Sequence, residues 1–391
     1  MGSYLTVFLA SAATTFVATP VVRRLAVSIG SIARPNDRTV HAVPTPTMGG
    51  LAMFFGFLVG MGIAFELSFF DDLHRGTPIP LAAVATCTLM VGLGLIDDRR
   101  GTSALAKFTA QVFIAGVLVL MGAALTYIWI PGFEVVSLSQ DIAVPLTILW
   151  VVAIANAVNL VDGLDGLAAG MIAIAAAAFF VYIIRTPSTF GDASAAALLS
   201  AIAVGMCLGF LPWNFHPARI FMGDSGALLL GMLLSIATID GVGRNPFEPS
   251  GGDIAAIAGV LVVPLLVLFI PFLDVVLAIA RRTWRGQGIG HADKEHIHHR
   301  LMEIGHSHRR AVLLMYLWSA LISGSALAVG LIDGRATVGL ILLAALALFL
   351  VTALPALDRW RRRGNGPSAP EGARRSVGQS TGSATGPEPS S

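Results

Sequence analysis

Apolar residues along this chain gather in long unbroken runs, without the every-second alternation of a half-buried strand or the one-sided stripe of a surface helix. Eleven such runs lie at about 4–22, 48–66, 79–96, 106–126, 142–158, 167–184, 194–212, 225–240, 254–280, 311–331 and 336–355. A bilayer core about 30 Å thick is crossed by roughly 20 apolar residues in a helix. Helices satisfy their own backbone in hydrocarbon, whereas the other solution, a closed barrel, would show short alternating segments. The pattern predicts an all-α polytopic membrane protein with about eleven transmembrane helices. Composition agrees: of 391 residues, 55% are hydrophobic and 12% charged, where a soluble chain carries about 25% charged residues.

The net charge of +2 decides little, but its distribution decides orientation. With the N-terminus outside, 21 of the 25 Lys and Arg residues fall in cytoplasmic segments, leaving Arg75, Arg185, Arg244 and Arg335 opposite. The positive-inside rule then places the N-terminus outside and the C-terminus in the cytoplasm. Histidines sort the same way, with His74 the lone exception, so chemistry is expected on the cytoplasmic face. Cys87 and Cys207 sit inside apolar runs and read as packed small residues. The first run has no basic region ahead of it and ends in Arg23-Arg24, which argues for a membrane helix over a cleaved signal peptide. Residues 1–363 are expected to form one transmembrane domain, and 364–391, rich in Gly, Ser, Pro and Glu, a disordered cytoplasmic tail.

Several polar constellations fall on that cytoplasmic side. The third run ends in Asp97-Asp98-Arg99-Arg100, and two carboxylates at a helix C-terminus oppose its macrodipole, so capping does not explain them. They pair with Arg99 and Arg100 as a solvated cluster, or they hold a cation or accept protons with Lys107 and Gln111 facing the same pocket. Asn156, Asn159, Asp162 and Asp165 recur every third residue. On a helix that spacing makes one drifting stripe of oxygen donors, which either zips two helices or binds Mg²⁺ or Mn²⁺ carried by phosphates. Gly163 and Gly166 are expected to end this helix. Asp224, in Phe221-Met-Gly-Asp-Ser-Gly, reads as an N-cap, as part of a phosphate and metal cradle, or as both. Asp274 pairs with Arg281 or Arg282, or serves function near the interface. In Asp293-Lys-Glu-His296-Ile-His298-His299-Arg300, helical spacing keeps the imidazoles from converging on one zinc ion, so hydrogen bonding to a sugar phosphate is the better use.

In this order, these segments resemble the polyprenyl-phosphate N-acetylhexosamine-1-phosphate transferase superfamily, the group of MraY, WecA and TagO. The likeness runs from about residue 20 to 310. It also takes in the Pro35-Asn36…Arg38…His41…Pro44-x-Pro46…Gly49-Gly50 loop and Pro271-x-x-Asp274. The first loop lacks the lysine of the family's Arg-Lys-x-His, and Arg34 offers a charge nearby. The His-Ile-His-His-Arg loop resembles the UDP-N-acetylglucosamine branch more than the muramyl-pentapeptide branch, and 23 Arg against 2 Lys points to a GC-rich, actinobacterial source.

The resemblance implies transfer of GlcNAc-1-phosphate from UDP-GlcNAc to polyprenyl phosphate, decaprenyl phosphate for an actinobacterium, with release of UMP at a bacterial cell membrane. It implies catalytic roles for Asp97, Asp98, Asp162 and Lys107, and metal ligation by Asp224, Asn159 and Asp162. Substrate contacts are implied for Asn156, Asn159, Asp165, Phe221 (stacking on uracil), His296, His298, His299, Arg300, Arg38 and His41. A muramyl-pentapeptide donor is the alternative within the family, and a secondary transporter the alternative outside it, although most acids line one interface and no internal repeat is visible. Nucleic acid is not an expected partner, and a homodimer is among the states the sequence allows. The orientation is checked by cysteine labelling in intact cells. A cysteine at His74 is expected to react with an impermeant reagent and one within 293–300 to stay protected, and the reverse pattern would overturn the topology.

Overall fold

A computed structural model describes residues 1–33, 43–129, 135–185, 191–244, 307–331 and 339–352. Helices occupy every apolar run except 254–280, which lies outside the described residues. They are α1 (Gly2–Ser28), α2 (Gly49–Glu66), the short α3 (Asp71–Gly76), α4 (Ile79–Arg100), α5 (Ala104–Leu120), α6 (Gln140–Val161), α7 (Leu167–Arg185), α8 (Ala195–Asn214), α9 (Gly223–Val242), α10 (His308–Leu331) and α11 (Gly339–Thr352). Seven of them, α1, α2, α4 and α6 to α9, are long and apolar enough to cross a membrane by length and composition. The protein is therefore an all-α polytopic membrane protein. The run expected at 106–126 forms a helix of 17 residues, ending at Leu120.

Among the described residues, two strand pairings interrupt the helical pattern. β1 (Ile32–Ala33) pairs antiparallel with β2 (Thr45–Pro46), and β3 (Tyr127–Trp129) with β4 (Val135–Ser137) in the register Tyr127↔Ser137 and Trp129↔Val135. β3 is anchored to the far end of α9, where the N–H groups of Thr126 and Tyr127 donate to Gly243 O at 2.7 and 2.9 Å. Pairings of two or three residues leave almost no periodic signal in the sequence.

Helix α1 shows how the bundle is built. Its inward positions Tyr4, Val7, Ser11, Thr15, Thr19, Val22 and Ala26 repeat at helical spacing, while Leu5, Leu9, Phe16, Val17 and Val21 face outward. The outward face is apolar and the inward face mixes apolar residues with small hydroxyls, as suits a helix with lipid on one side and packed protein on the other. Five buried hydroxyls, of Thr19, Thr86, Thr147, Ser200 and Ser235, each donate to the carbonyl four residues back in their own helix.

Helix α9 is the centre. It packs against α2, α4, α6 and α8, and its apolar window is the most buried of the seven. Its close approach to α4 requires a residue without a side chain at Gly94, because a Cβ there would overlap the backbone of Ser225. That contact brings the first turn of α9 against the last two turns of α4, and so sets the polar end of the bundle.

Candidate active site

The C-termini of α4 and α6, the N-termini of α5 and α9, and the loop before α2 meet at one end of the bundle. Asp98 ties two of them together. Its Oδ1 accepts from the Asp224 N–H at 2.8 Å, and its Oδ2 accepts from the Ser225 N–H at 3.2 Å and the Ser225 hydroxyl at 2.7 Å. A carboxylate that opposes its own helix dipole is thereby placed at the positive end of another. The loop before α2 closes over the same turn: the N–H groups of Gly49 and Gly50 donate to Phe221 O and Met222 O at 2.9 and 2.8 Å, and the Phe221 N–H donates to Pro46 O at 2.8 Å.

Asp97 points the other way. Its Oδ1 accepts from both the N–H and the hydroxyl of Thr102, and its Oδ2 accepts from Lys107 Nζ at 2.9 Å. Lys107 Nζ also donates to Asp224 Oδ2. With the Asn159 amide oriented so that each atom meets a complementary group, its oxygen accepts from Lys107 Nζ at 3.1 Å and its nitrogen donates to Asp224 Oδ1 at 3.0 Å. One ammonium is thus enclosed by Asp97, Asp224 and Asn159, with the side chains of Lys107 and Asp97 each 14% exposed. Gln111, one turn along from Lys107, accepts from Asn156 Nδ2 at 2.6 Å.

The four-residue stripe does not stay on one helix. α6 ends at Val161, so Asn156 and Asn159 are helical, Asp162 is the C-cap, and Asp165 lies in the turn before α7. Burial, and then the carboxylates of Asp98 and Asp165, push the Asp162 carboxyl up to about 7. Burial is the larger cause, and the neighbouring carboxylates add to it. Asp165 belongs to a second cluster. Its Oδ2 takes His216 Nδ1 at 2.7 Å and the Ala218 N–H at 3.1 Å, and the His308 ring stacks on His216 with centroids 4.2 Å apart. Asp165, His216 and His308 offer ligand atoms all within 4.8 Å of one another, a candidate metal-coordinating cluster.

Two expectations are corrected here. Asp224 is the second residue of α9 and not its N-cap, which is Met222. Asp97 and Asp98 do not pair with Arg99 and Arg100: Asp97 is held by Thr102 and by Lys107 of α5, and Asp98 by the first turn of α9. Arg38, His41, Asp274, His296, His298, His299 and Arg300 lie outside the described residues. His216 and His308 escaped notice as site residues, because nothing in their spacing announces a contact between segments so far apart. Thr102 and Ser225 escaped it as well, although their places beside Asp97-Asp98 and Asp224 were the available signal.

Residues 80–242 match the family model of glycosyl transferase family 4. The chain is 42% identical over 363 residues to the decaprenyl-phosphate N-acetylglucosaminephosphotransferase of Mycobacterium tuberculosis strain H37Rv, covering 90% of this chain and 88% of that one. The chain belongs to this transferase family. It is also 38% identical over 323 residues to the probable undecaprenyl-phosphate N-acetylglucosaminyl 1-phosphate transferase of Bacillus subtilis strain 168, covering 82% and 83% of the two chains. A phospho-N-acetylmuramoyl-pentapeptide-transferase of Thermobifida fusca strain YX matches at 35% over 230 residues, 49% of this chain and 62% of that one. The matched segment contains Asp97, Asp98, Lys107, Asn159, Asp162, Asp165 and Asp224.

The contacts of Asp98 separate its role in the scaffold from that of Asp224. Asp98→Asn sets an amide against two backbone donors and a hydroxyl. It is expected to lower stability in the absence of ligands by about 1–3 kcal/mol, whereas Asp224→Asn keeps an oxygen that can accept from Lys107, whose charge Asp97 still balances, and costs about 1 kcal/mol or less. Thermal unfolding of the purified variants checks this, and equal losses would contradict the assignment.

Proposed function

We propose that this protein transfers GlcNAc-1-phosphate from UDP-GlcNAc to a polyprenyl phosphate, decaprenyl phosphate in particular, releasing UMP and leaving polyprenyl-diphospho-GlcNAc. The observation that carries the reading is the Lys107 ammonium enclosed by Asp97, Asp224 and Asn159 where four helix ends meet. That is a charged, cation-binding site at the edge of an apolar bundle, suited to joining a water-soluble diphosphate to a lipid phosphate. The longer, closer matches to relatives named for N-acetylglucosamine transfer favour that donor over a muramyl pentapeptide.

The residues fit a divalent cation. Asp224, Asn159, Asp98 and Asp162 present only oxygen donors, and the spot already attracts one positive charge, a set suited to Mg²⁺ or Mn²⁺. The Asp165, His216 and His308 cluster brings imidazole nitrogens, which suit softer transition metals. In this reading Asp224, Asn159 and Asp162 hold Mg²⁺ or Mn²⁺, which neutralises charge on the donor diphosphate.

Lys107 sets a fixed positive charge beside the reacting phosphates, and Asp97, braced by Thr102, holds Lys107 in place. Asp98 fixes the first turn of α9 and with it Asp224. An acceptor phosphate oxygen attacks the phosphorus that bears the sugar, the bond from that phosphorus to the bridging oxygen breaks, and UMP leaves with the electron pair. A phosphate monoester has a second pKa near 6, so at pH 7 the acceptor is mostly dianionic and needs little activation. Positioning and charge stabilisation supply the catalysis. Asn156, Asp165 and Phe221 contact the donor, Phe221 through the uracil ring. Arg38, His41, His296, His298, His299 and Arg300 complete the contacts to sugar and phosphates, and the site faces the cytoplasm in a bacterial cell membrane.

Purified protein in nanodiscs with UDP-GlcNAc, decaprenyl phosphate and Mg²⁺ is expected to release UMP, and a chelator to stop it. Asp224→Asn is expected to cut turnover by about a hundredfold or more while the protein stays folded. Absence of UMP release from the wild type, or near-normal turnover in Asp224→Asn, would refute the reading.

A further inference from the structure

Helix α10 reaches back to the turn that carries Asp165. The Tyr316 hydroxyl donates to the carbonyl oxygen of Gly166, the residue after Asp165. Its ring lies over Gly170 in the first turn of α7, where a Cβ would overlap the ring carbons. From the same helix, Arg309 Nε donates to His216 O at 3.2 Å and the His308 ring stacks on His216, whose Nδ1 meets Asp165 Oδ2. On the other side of the turn, the Gly166 N–H donates to Asn214 Oδ1 at 3.0 Å, and Asn214 Nδ2 donates to Ile220 O at 3.0 Å. The Gly166 carbonyl also accepts from the Gly170 N–H at 3.0 Å, so the backbone polar groups of Gly166 are held by the end of α8, by the first turn of α7 and by α10.

A bare tyrosine-sized slot would be filled equally well by phenylalanine. What the hydroxyl adds is a directional bond to the backbone of a single turn, which the helices' apolar packing does not need. Between the end of α6 and the start of α7 the turn closes only short-range bonds of its own, Gly163 N–H to Val161 O and Leu167 N–H to Leu164 O, so outside bonds such as that of Tyr316 add to what fixes its geometry and the aim of the Asp165 carboxylate.

We propose that Tyr316 is a positioning residue: through the Gly166 carbonyl it fixes the turn that carries Asp165, and thereby tunes binding of the nucleotide donor without touching it. This rests on the reading above that Asp165 contacts UDP-GlcNAc. Loss of one hydrogen bond transmitted to a binding group is expected to weaken donor binding by about tenfold. Binding of the acceptor, whose phosphate that reading sets beside Lys107, should be little affected.

The test uses the full chain in nanodiscs. Tyr316→Phe is expected to raise the KM for UDP-GlcNAc by about tenfold, with kcat and the KM for decaprenyl phosphate within about twofold of wild type. Amide hydrogen exchange in the 162–170 segment of the ligand-free protein should quicken while the Tm holds. In an Asp165→Asn background Tyr316→Phe should change the donor KM by less than about twofold, since both substitutions act on one contact. Gly170→Ala, which crowds the ring and leaves the hydroxyl, should raise the same KM. A donor KM and exchange rate at wild-type values in Tyr316→Phe, full multiplication in the double variant, or a Tyr316→Phe protein that does not fold would each overturn the proposal, the last by making the hydroxyl purely structural. A wild type that releases no UMP would refute the functional reading and the donor half of this proposal with it, whereas an active wild type matched by Tyr316→Phe would overturn the proposal alone.

Discussion

The bond from the Asp98 carboxylate to the first turn of α9 organises the polar end of this protein. It lets two helices run against each other with an acid at the negative end of one dipole and the positive end of the other, so that a local cost becomes an interhelical tie. Gly94 allows the approach, and the loop before α2 seals it through Gly49 and Gly50. Because α9 is the central helix, whatever fixes its first turn also fixes Asp224 relative to α4, α5 and α6.

Two charge centres result, only a few residues apart along α6 and its following turn. In one, Lys107 compensates Asp97 and Asp224 through oxygen-rich contacts. In the other, Asp165 is bound by His216, which stacks on His308. Asp162 lies between them and feels both Asp98 and Asp165. Such a divided arrangement suits a reaction that must hold a diphosphate at one place and a nucleoside at another, with the family relationship supplying the chemical class.

Much of this was legible in the sequence, for identifiable reasons. Hydrophobic length is a local property, so the runs at 4–22, 79–96 and 194–212 located α1, α4 and α8 to within a few residues. Misplaced charge is local too: Asp97-Asp98 at a helix C-terminus demanded an explanation before any fold was known. What the chain did not disclose were the partners. Nothing near Asp98 names Ser225, and nothing near Asp165 names His216, His308 or Tyr316, because these contacts depend on how helices distant in sequence lie side by side. The glycines at 163 and 166 marked the end of α6, but the reach of its polar stripe was overdrawn for a related reason. Three-residue spacing continues a helical stripe on paper, whereas the backbone leaves the helix at Asp162.

The central claim is that the divalent cation belongs to the oxygen-rich centre around Asp224 and not to the imidazole-bearing one around His216. Electron paramagnetic resonance of Mn²⁺ binding to the nucleotide-free protein in nanodiscs tests it directly. Asp224→Asn is expected to weaken Mn²⁺ binding by about tenfold or more, and His216→Ala to leave it within about twofold. Loss of Mn²⁺ binding in His216→Ala, with Asp224→Asn unaffected, would contradict the account.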